Sequence, residues 1–159
     1  MGTGSKMNPR ILLRIAALIS GLFALGHILG GLQQWNPVGA NPVFAEMAKQ
    51  QFHVEGTSRS YLDFYLGLGW SSGVLLVLQT VLLWHLSTLA KSTGAGIRPM
   101  VGAIALSAAA TGAIAWRFIL PVPALFSLVL LIPLVLAFAA LGPPSETRSK
   151  VSPEAVSGE

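Results

Sequence analysis

The sequence predicts an all-α protein, a four-helix transmembrane bundle with a short amphipathic helix on the outer side between the first two spans. Three observations lead there. Apolar residues make up 53% of the 159 residues, charged residues only 10%, whereas a soluble domain carries about 25% charged residues. Small domains have much surface to cover, so a deficit of this size means that lipid is the solvent for much of the chain. The mean hydropathy of +0.67 agrees. Finally, the apolar residues fall into four runs, each near the roughly 20 residues that a helix needs to cross a hydrocarbon core about 30 Å thick.

The runs cover residues 11–32, 62–89, 100–120 and 124–141. The second exceeds what the bilayer requires, so it starts outside the hydrocarbon or tilts. Pro121-Val122-Pro123 leaves almost no loop between the third and fourth runs, which predicts a tight antiparallel hairpin. Ser92-Thr93-Gly94-Ala95-Gly96 joins the second and third nearly as briefly, which predicts a second neighbouring pair. The chain thus divides into an N-terminal segment (1–10), a membrane domain (11–142) and a polar tail (143–159) without apolar period, read as disordered. Met1-Gly2-Thr3-Gly4-Ser5-Lys6 reads as an expression-tag remnant ahead of Met7.

Between the first two runs, Asn41-Pro42 is a helix start, with Asn as N-cap and Pro at the first helical position. Phe44, Met47, Ala48, Gln51 and Phe52 then recur at helical spacing, predicting a helix lying on the outer surface, as a lid or as a float among headgroups. Lysine and arginine set the orientation. Lys6, Arg10, Arg14, Lys91, Arg98, Arg148 and Lys150 lie on one side and Lys49, Arg59 and Arg117 on the other, which predicts a cell inner (plasma) membrane protein with both termini cytoplasmic.

Several functions are excluded. The chain has no cysteine, hence no disulfide, thiolate metal site, iron–sulfur cluster or cysteine nucleophile. The formal charge of +4 is spread in pairs at the ends of apolar runs, a membrane-anchoring distribution that speaks against nucleic acid. His27 and His85 lie near opposite faces, so bis-histidine haem is not expected, and His53 with Glu55 does not make a metal site. No cofactor and no metal is predicted.

Ionisable groups in a span are expensive and usually face the bundle interior. At 1.5 Å per residue His27 lies about 25 Å along the first span, in its outer half. Arg59, Tyr61, Asp63 and Tyr65 cluster at the outer start of the second, and Trp116 with Arg117 ends the third. Arg59, Asp63, Gly67 and Trp70 share one face if the helix extends that far. Asp63 is expected to pair with Arg59, with Arg117 or with His27. Asp63 and His27 together are an acid–base pair suited to proton transfer near neutral pH; a structural Asp–Arg pair is the competing reading. Small residues at Gly26-x-x-x-Gly30, at Gly69-x-x-x-Gly73 and along residues 101–115 serve close helix packing, or leave room for a flat ligand. Gln79, in the middle of the second span, is expected to bond another helix.

The run Arg59-Ser60-Tyr61-x-Asp63-Phe64-Tyr65-x-Gly67, with Gly26-His27-x-x-Gly30-Gly31 before it and Leu82-Leu83-Trp84-x-Leu86-Ser87 and Phe118-x-x-Pro121-x-Pro123 after it, resembles a family of small four-span bacterial membrane proteins. The resemblance covers roughly residues 11–141. It implies the fold and topology and supplies no reaction; where that family carries phenylalanine or methionine before Gly56, this chain has Glu55. In architecture the chain is more loosely similar to DoxX-like and emopamil-binding (sterol isomerase) bundles. The latter similarity implies polar side chains in a helical cavity that move a proton on an isoprenoid-derived substrate.

The expected site is therefore an outer-half polar pocket for a lipophilic small molecule such as an isoprenoid, quinone or sterol-like compound. Asp63 and His27 are its candidate catalytic groups for acid–base isomerisation or cyclisation. Arg59, Tyr61, Tyr65, Trp70, Trp116 and Arg117 are its candidate binding residues. The alternative is a non-enzymatic accessory or scaffold protein that associates, with membrane-protein partners or with its own copies, through small-residue helix faces.

Overall fold

A computed structural model describes residues 7–36 and 42–142. Four helices are long and apolar enough to cross a membrane: α1 (Pro9–Leu32), α3 (Tyr61–Leu89), α4 (Arg98–Phe118), which continues a 3-10 turn at Gly94–Ile97, and α5 (Pro121–Ala140). The chain is a multi-pass integral membrane protein with an all-α bundle. Its helix starts are locally encoded. Asn8 caps α1 by accepting from the Arg10 amide at 3.0 Å, and Pro9 occupies the first turn. Leu120, which precedes a proline, is extended (φ −145°, ψ 156°), so α4 cannot run into α5. With 29 residues α3 is about 44 Å long, more than the hydrocarbon thickness.

The helices pack in the order α3–α1–α5–α4. The short turn between α3 and α4 does not make them neighbours, against the sequence expectation. A short loop limits the distance between two helix ends only, and here α3 is held along its length by α1, and α4 by α5. Thr80 packs on Gly21, whose added Cβ would lie 3.2 Å from the threonine methyl. Gln79 donates to Ser20 Oγ at 3.1 Å, and the Thr80 hydroxyl lies 3.0 Å from the same oxygen, the interhelical bond anticipated for Gln79. Phe23 of α1 stacks on Phe126 of α5 at 5.0 Å.

Burial is uneven along the membrane normal. The apolar core joins Leu12, Leu13, Ala16 and Ala17 of α1, Leu83 and Leu86 of α3, Ile97, Val101 and Ala108 around α4, and Leu130, Leu134 and Ala137 of α5. That half, the basic end, contains the start of α1. In the other half, the hairpin end, the buried described residues are Ala24, Gly31, Ser60, Gly73, Ala115 and Ser127, none larger than serine. The core is thus a plug at one end of the bundle.

The connection between α1 and α3 corrects the sequence reading in part. The helix α2 (Pro42–Lys49) forms, although Asn41, its expected cap, lies outside the described residues. Gln51 and Phe52 do not belong to it: they open a β-hairpin, β1 (Gln51–Val54) with β2 (Thr57–Ser60), in the register Phe52↔Arg59 and Val54↔Thr57. Glu55 and Gly56 form its two-residue turn with φ of +52° and +74°, the signs that a right-twisted hairpin demands. Four-residue strands are marginal alone; this pair is held by Phe52, whose ring contacts Tyr61 at 5.3 Å and Phe64 at 5.9 Å.

The packing order is directly testable because the chain has no cysteine of its own. Cysteines introduced at Gly21 and Thr80 should cross-link α1 to α3 on mild oxidation, whereas a pair at Ser72 and Thr111, on α3 and α4, should give no intramolecular product on gels.

Candidate functional site

At the hairpin end the chain leaves α1 by a sharp reversal. The amides of Gln33 and Trp35 both donate to the Gly30 carbonyl (3.0 and 2.9 Å), and that of Gln34 donates to Gly31 (2.9 Å). Gln34 and Trp35 are left-handed (φ +54° and +47°), a conformation costing about 1–2 kcal/mol for each residue with a Cβ. The compensation is the indole of Trp35, turned back onto the helices. Its Nε1 donates to the His27 carbonyl at 2.9 Å. Its six-membered ring lies where a Cβ on Gly69 would sit 2.4 Å away and one on Gly31 2.7 Å away. Any side chain at either position excludes the ring, so these glycines are the floor of an indole-shaped slot.

His27 belongs to the same assembly. Its Nε2 lies 2.9 Å from the Gly69 carbonyl, and because a carbonyl only accepts, Nε2 carries the proton. Its ring packs against Trp35 at 5.1 Å and Phe23 at 6.4 Å, close beside Gly73. Trp70 meets Trp35 edge-on at 5.3 Å, and the Tyr65 hydroxyl donates to the Trp35 carbonyl at 3.2 Å. Phe44 of α2 closes on Tyr65 at 5.9 Å. Three of the expected site residues, His27, Tyr65 and Trp70, are therefore brought together by Trp35, which was not among the expected site residues. At Gly31 and Gly69 the absence of a side chain makes room for the chain's own indole.

Asp63 has a different partner from any of the three anticipated. Ser60 donates to its Oδ2 through both the backbone amide (2.9 Å) and the hydroxyl (2.7 Å), while the Asp63 amide donates to Ser60 Oγ at 3.0 Å. This is a capping box at the start of α3. Arg59 does not share a helical face with Asp63, since it lies in β2, where its Nη1 donates to the Ser58 carbonyl at 2.8 Å. Among the described residues the ion pair is Lys49–Glu46 at 3.9 Å. Tyr61 packs on Phe52 at the hairpin.

Trp116 and Arg117 stand apart from both groups, at the end of α4. Trp116 is 75% exposed, and the Arg117 guanidinium lies over the Phe118 ring at 4.9 Å. Here the sequence reading missed a concave surface. An apolar groove runs between α4 and α5, bounded by Ala109, Gly112 and Ala113 on one wall and Leu128 and Leu131 on the other. It continues past Ala124 and Leu128 to Trp116, Pro121 and Leu125. Its floor is tight, for a Cβ on Gly112 would meet Ser127 Cβ at 3.1 Å. The small residues of α4 were visible in the sequence; which of them remain uncovered depends on where α5 lies.

Compared with family models, curated proteins and solved structures, the chain finds no match.

Gly69→Ala should destabilise the protein by about 1–3 kcal/mol, the usual cost of overpacking, and expel the indole, red-shifting tryptophan emission. Adding Trp35→Ala should recover part of that loss, so that thermal melts of the two single variants and the double variant are non-additive. Ser60→Ala should cost about 1 kcal/mol through the lost cap, read as a lowered melting temperature.

Proposed function

We propose that the protein binds the tail of a lipophilic molecule in the α4–α5 groove, with the molecule's polar group at the level of Trp116 and Arg117. The groove carries this reading. From Leu131 to Pro121 it extends ten residues, about 15 Å, which is half of a hydrocarbon core about 30 Å thick. It therefore reaches from the bilayer centre to the interface, where an indole and a guanidinium offer an amphipathic mouth. Walls of alanine, glycine and leucine suit a branched or ring-bearing apolar tail, as in an isoprenoid, quinone or sterol-like compound, and Arg117 suits an oxygen-rich head.

The reading is of a binder. It is supported by the partners of the residues expected to move protons: the Asp63 carboxylate accepts from Ser60, and His27 Nε2 faces the Gly69 carbonyl. The second reading, association with another membrane helix, also falls on this groove, because Gly69 and Gly73 are already covered by Trp35 and His27 while Ala109 and Ala113 remain exposed. Close approach of helices at small residues is the usual mode of such association.

Ala113→Leu fills the groove without touching the capping box or the Trp35 slot. Native mass spectrometry of protein extracted from its own membrane should show a lipophilic adduct on the wild type, and about a tenfold lower occupancy in this variant, equivalent to about 1.4 kcal/mol. Loss of a protein partner or oligomer in place of an adduct would select the second reading. Asp63→Asn should leave the adduct in place; an adduct chemically converted by the wild type but not by Asp63→Asn would restore the enzymatic reading.

A further inference from the structure

The arginines of the basic end are placed against the preference of the helices that carry them. Cations favour helix C-termini and are unfavourable at N-termini, where the backbone amides already present partial positive charge. Yet Arg10 and Arg14 lie in the first two turns of α1 and Arg98 opens α4, while the last turns of α3 and α5, at the same end, hold no basic residue. Arg10 and Arg14 are also spaced i, i+4, which brings like charges together on one helix face. Among the described residues this end has Arg10, Arg14, Lys91 and Arg98 and no carboxylate, whereas the hairpin end balances Lys49, Arg59 and Arg117 with Glu46, Glu55 and Asp63.

Among the described residues no carboxylate pairs with Arg10 or Arg14. The Nε atoms of Arg10 and Arg14 are both buried without a hydrogen-bond acceptor, an arrangement costly for a charged donor. Arg98 by contrast is satisfied, since its Nε donates to the Phe138 carbonyl at 3.3 Å and its guanidinium stacks on the Phe138 ring at 4.1 Å. Arg14 is held by Trp84 of α3, the guanidinium carbon 5.3 Å from the ring centroid. Arg14 lies about 8 Å along α1. Both arginines are partly buried and keep part of their side chains accessible. With the Nε edges turned into the protein, the guanidinium tips remain to meet an acceptor from outside.

From this geometry we infer that Arg10 and Arg14, with Trp84 as the flanking ring, form a binding site for a phosphate group, carried by the headgroup of an anionic phospholipid at the basic end. The guanidinium fork matches phosphate oxygens. Trp84 lies where an indole prefers the headgroup level. The site is independent of the α4–α5 groove, which opens at the other end of the bundle.

The test uses the full chain reconstituted in phosphatidylcholine bilayers, with or without a fraction of phosphatidylglycerol, and reads the lipids retained on extraction. The wild type should retain phosphatidylglycerol in excess over its bulk fraction, by about fivefold per arginine. Arg10→Gln with Arg14→Gln should abolish the excess, whereas Lys49→Gln at the hairpin end should leave it unchanged. If the doubly substituted protein does not fold, Arg14→Lys serves in its place; it keeps the charge but loses the fork, and should lose at least half of the excess. A second arm adds inorganic phosphate to protein in pure phosphatidylcholine and follows thermal stability. Protection that depends on both arginines and equals that from phosphatidylglycerol would assign the site to free phosphate and overturn its lipid source. An excess that survives in the substituted protein, or no excess in the wild type, would overturn the site.

Discussion

One indole lying on two glycines holds the hairpin end together. The buried residues of that half are no larger than serine, and Trp35 supplies the bulk between α1 and α3 that leucines supply at the basic end. The contact requires that Gly31 and Gly69 lack a Cβ and that two successive residues accept left-handed backbone. Strain of this kind persists only where its surroundings over-determine it. Here they do: the indole N–H, the Tyr65 hydroxyl and the amides of residues 33–35 all bond within one turn of the helix end. His27, Tyr65 and Trp70 take their positions from this ring, and α2 takes its own through Phe44 on Tyr65.

The two halves of the bundle thus use different physics. At the basic end all four helices share one leucine-rich core, and dispersion between close-packed side chains holds them. At the hairpin end two pairs form separately, α1 with α3 through Trp35, and α5 with α4 through Gly112 on Ser127. At that depth Phe23 of one pair stacks on Phe126 of the other. A groove open to the bilayer follows from this separation, because α4 carries small residues on the face that no other helix covers. In lipid such a face gains nothing from burial by the hydrophobic effect, so what fills it is selected by shape.

Charge divides along the same axis. At the hairpin end Glu46 lies 3.9 Å from Lys49, and Asp63 with Ser60 caps the start of α3, where the helix leaves amides without an intrahelical partner. At the basic end the Arg14 and Arg98 guanidiniums, near the starts of α1 and α4, lie over the rings of Trp84 and Phe138.

Much of the architecture was legible because it depends on local properties. Run length set the number of spans, and Pro121 set where α4 and α5 part, since proline constraints act within a few residues. Gln79 announced its interhelical bond because an amide in mid-span has few other partners. The Glu55-Gly56 turn was legible in principle; the helical spacing of Gln51 and Phe52 concealed it, as short apolar patterns fit two periods at once. What only the tertiary structure decided is which residues meet. The order α3–α1–α5–α4, the occupation of the Gly69 slot by Trp35 and the exchange of Asp63's expected cation for Ser60 all depend on which helix faces are apposed. That choice is set by the summed fit of side chains distant in sequence, and spacing along one chain carries no record of it.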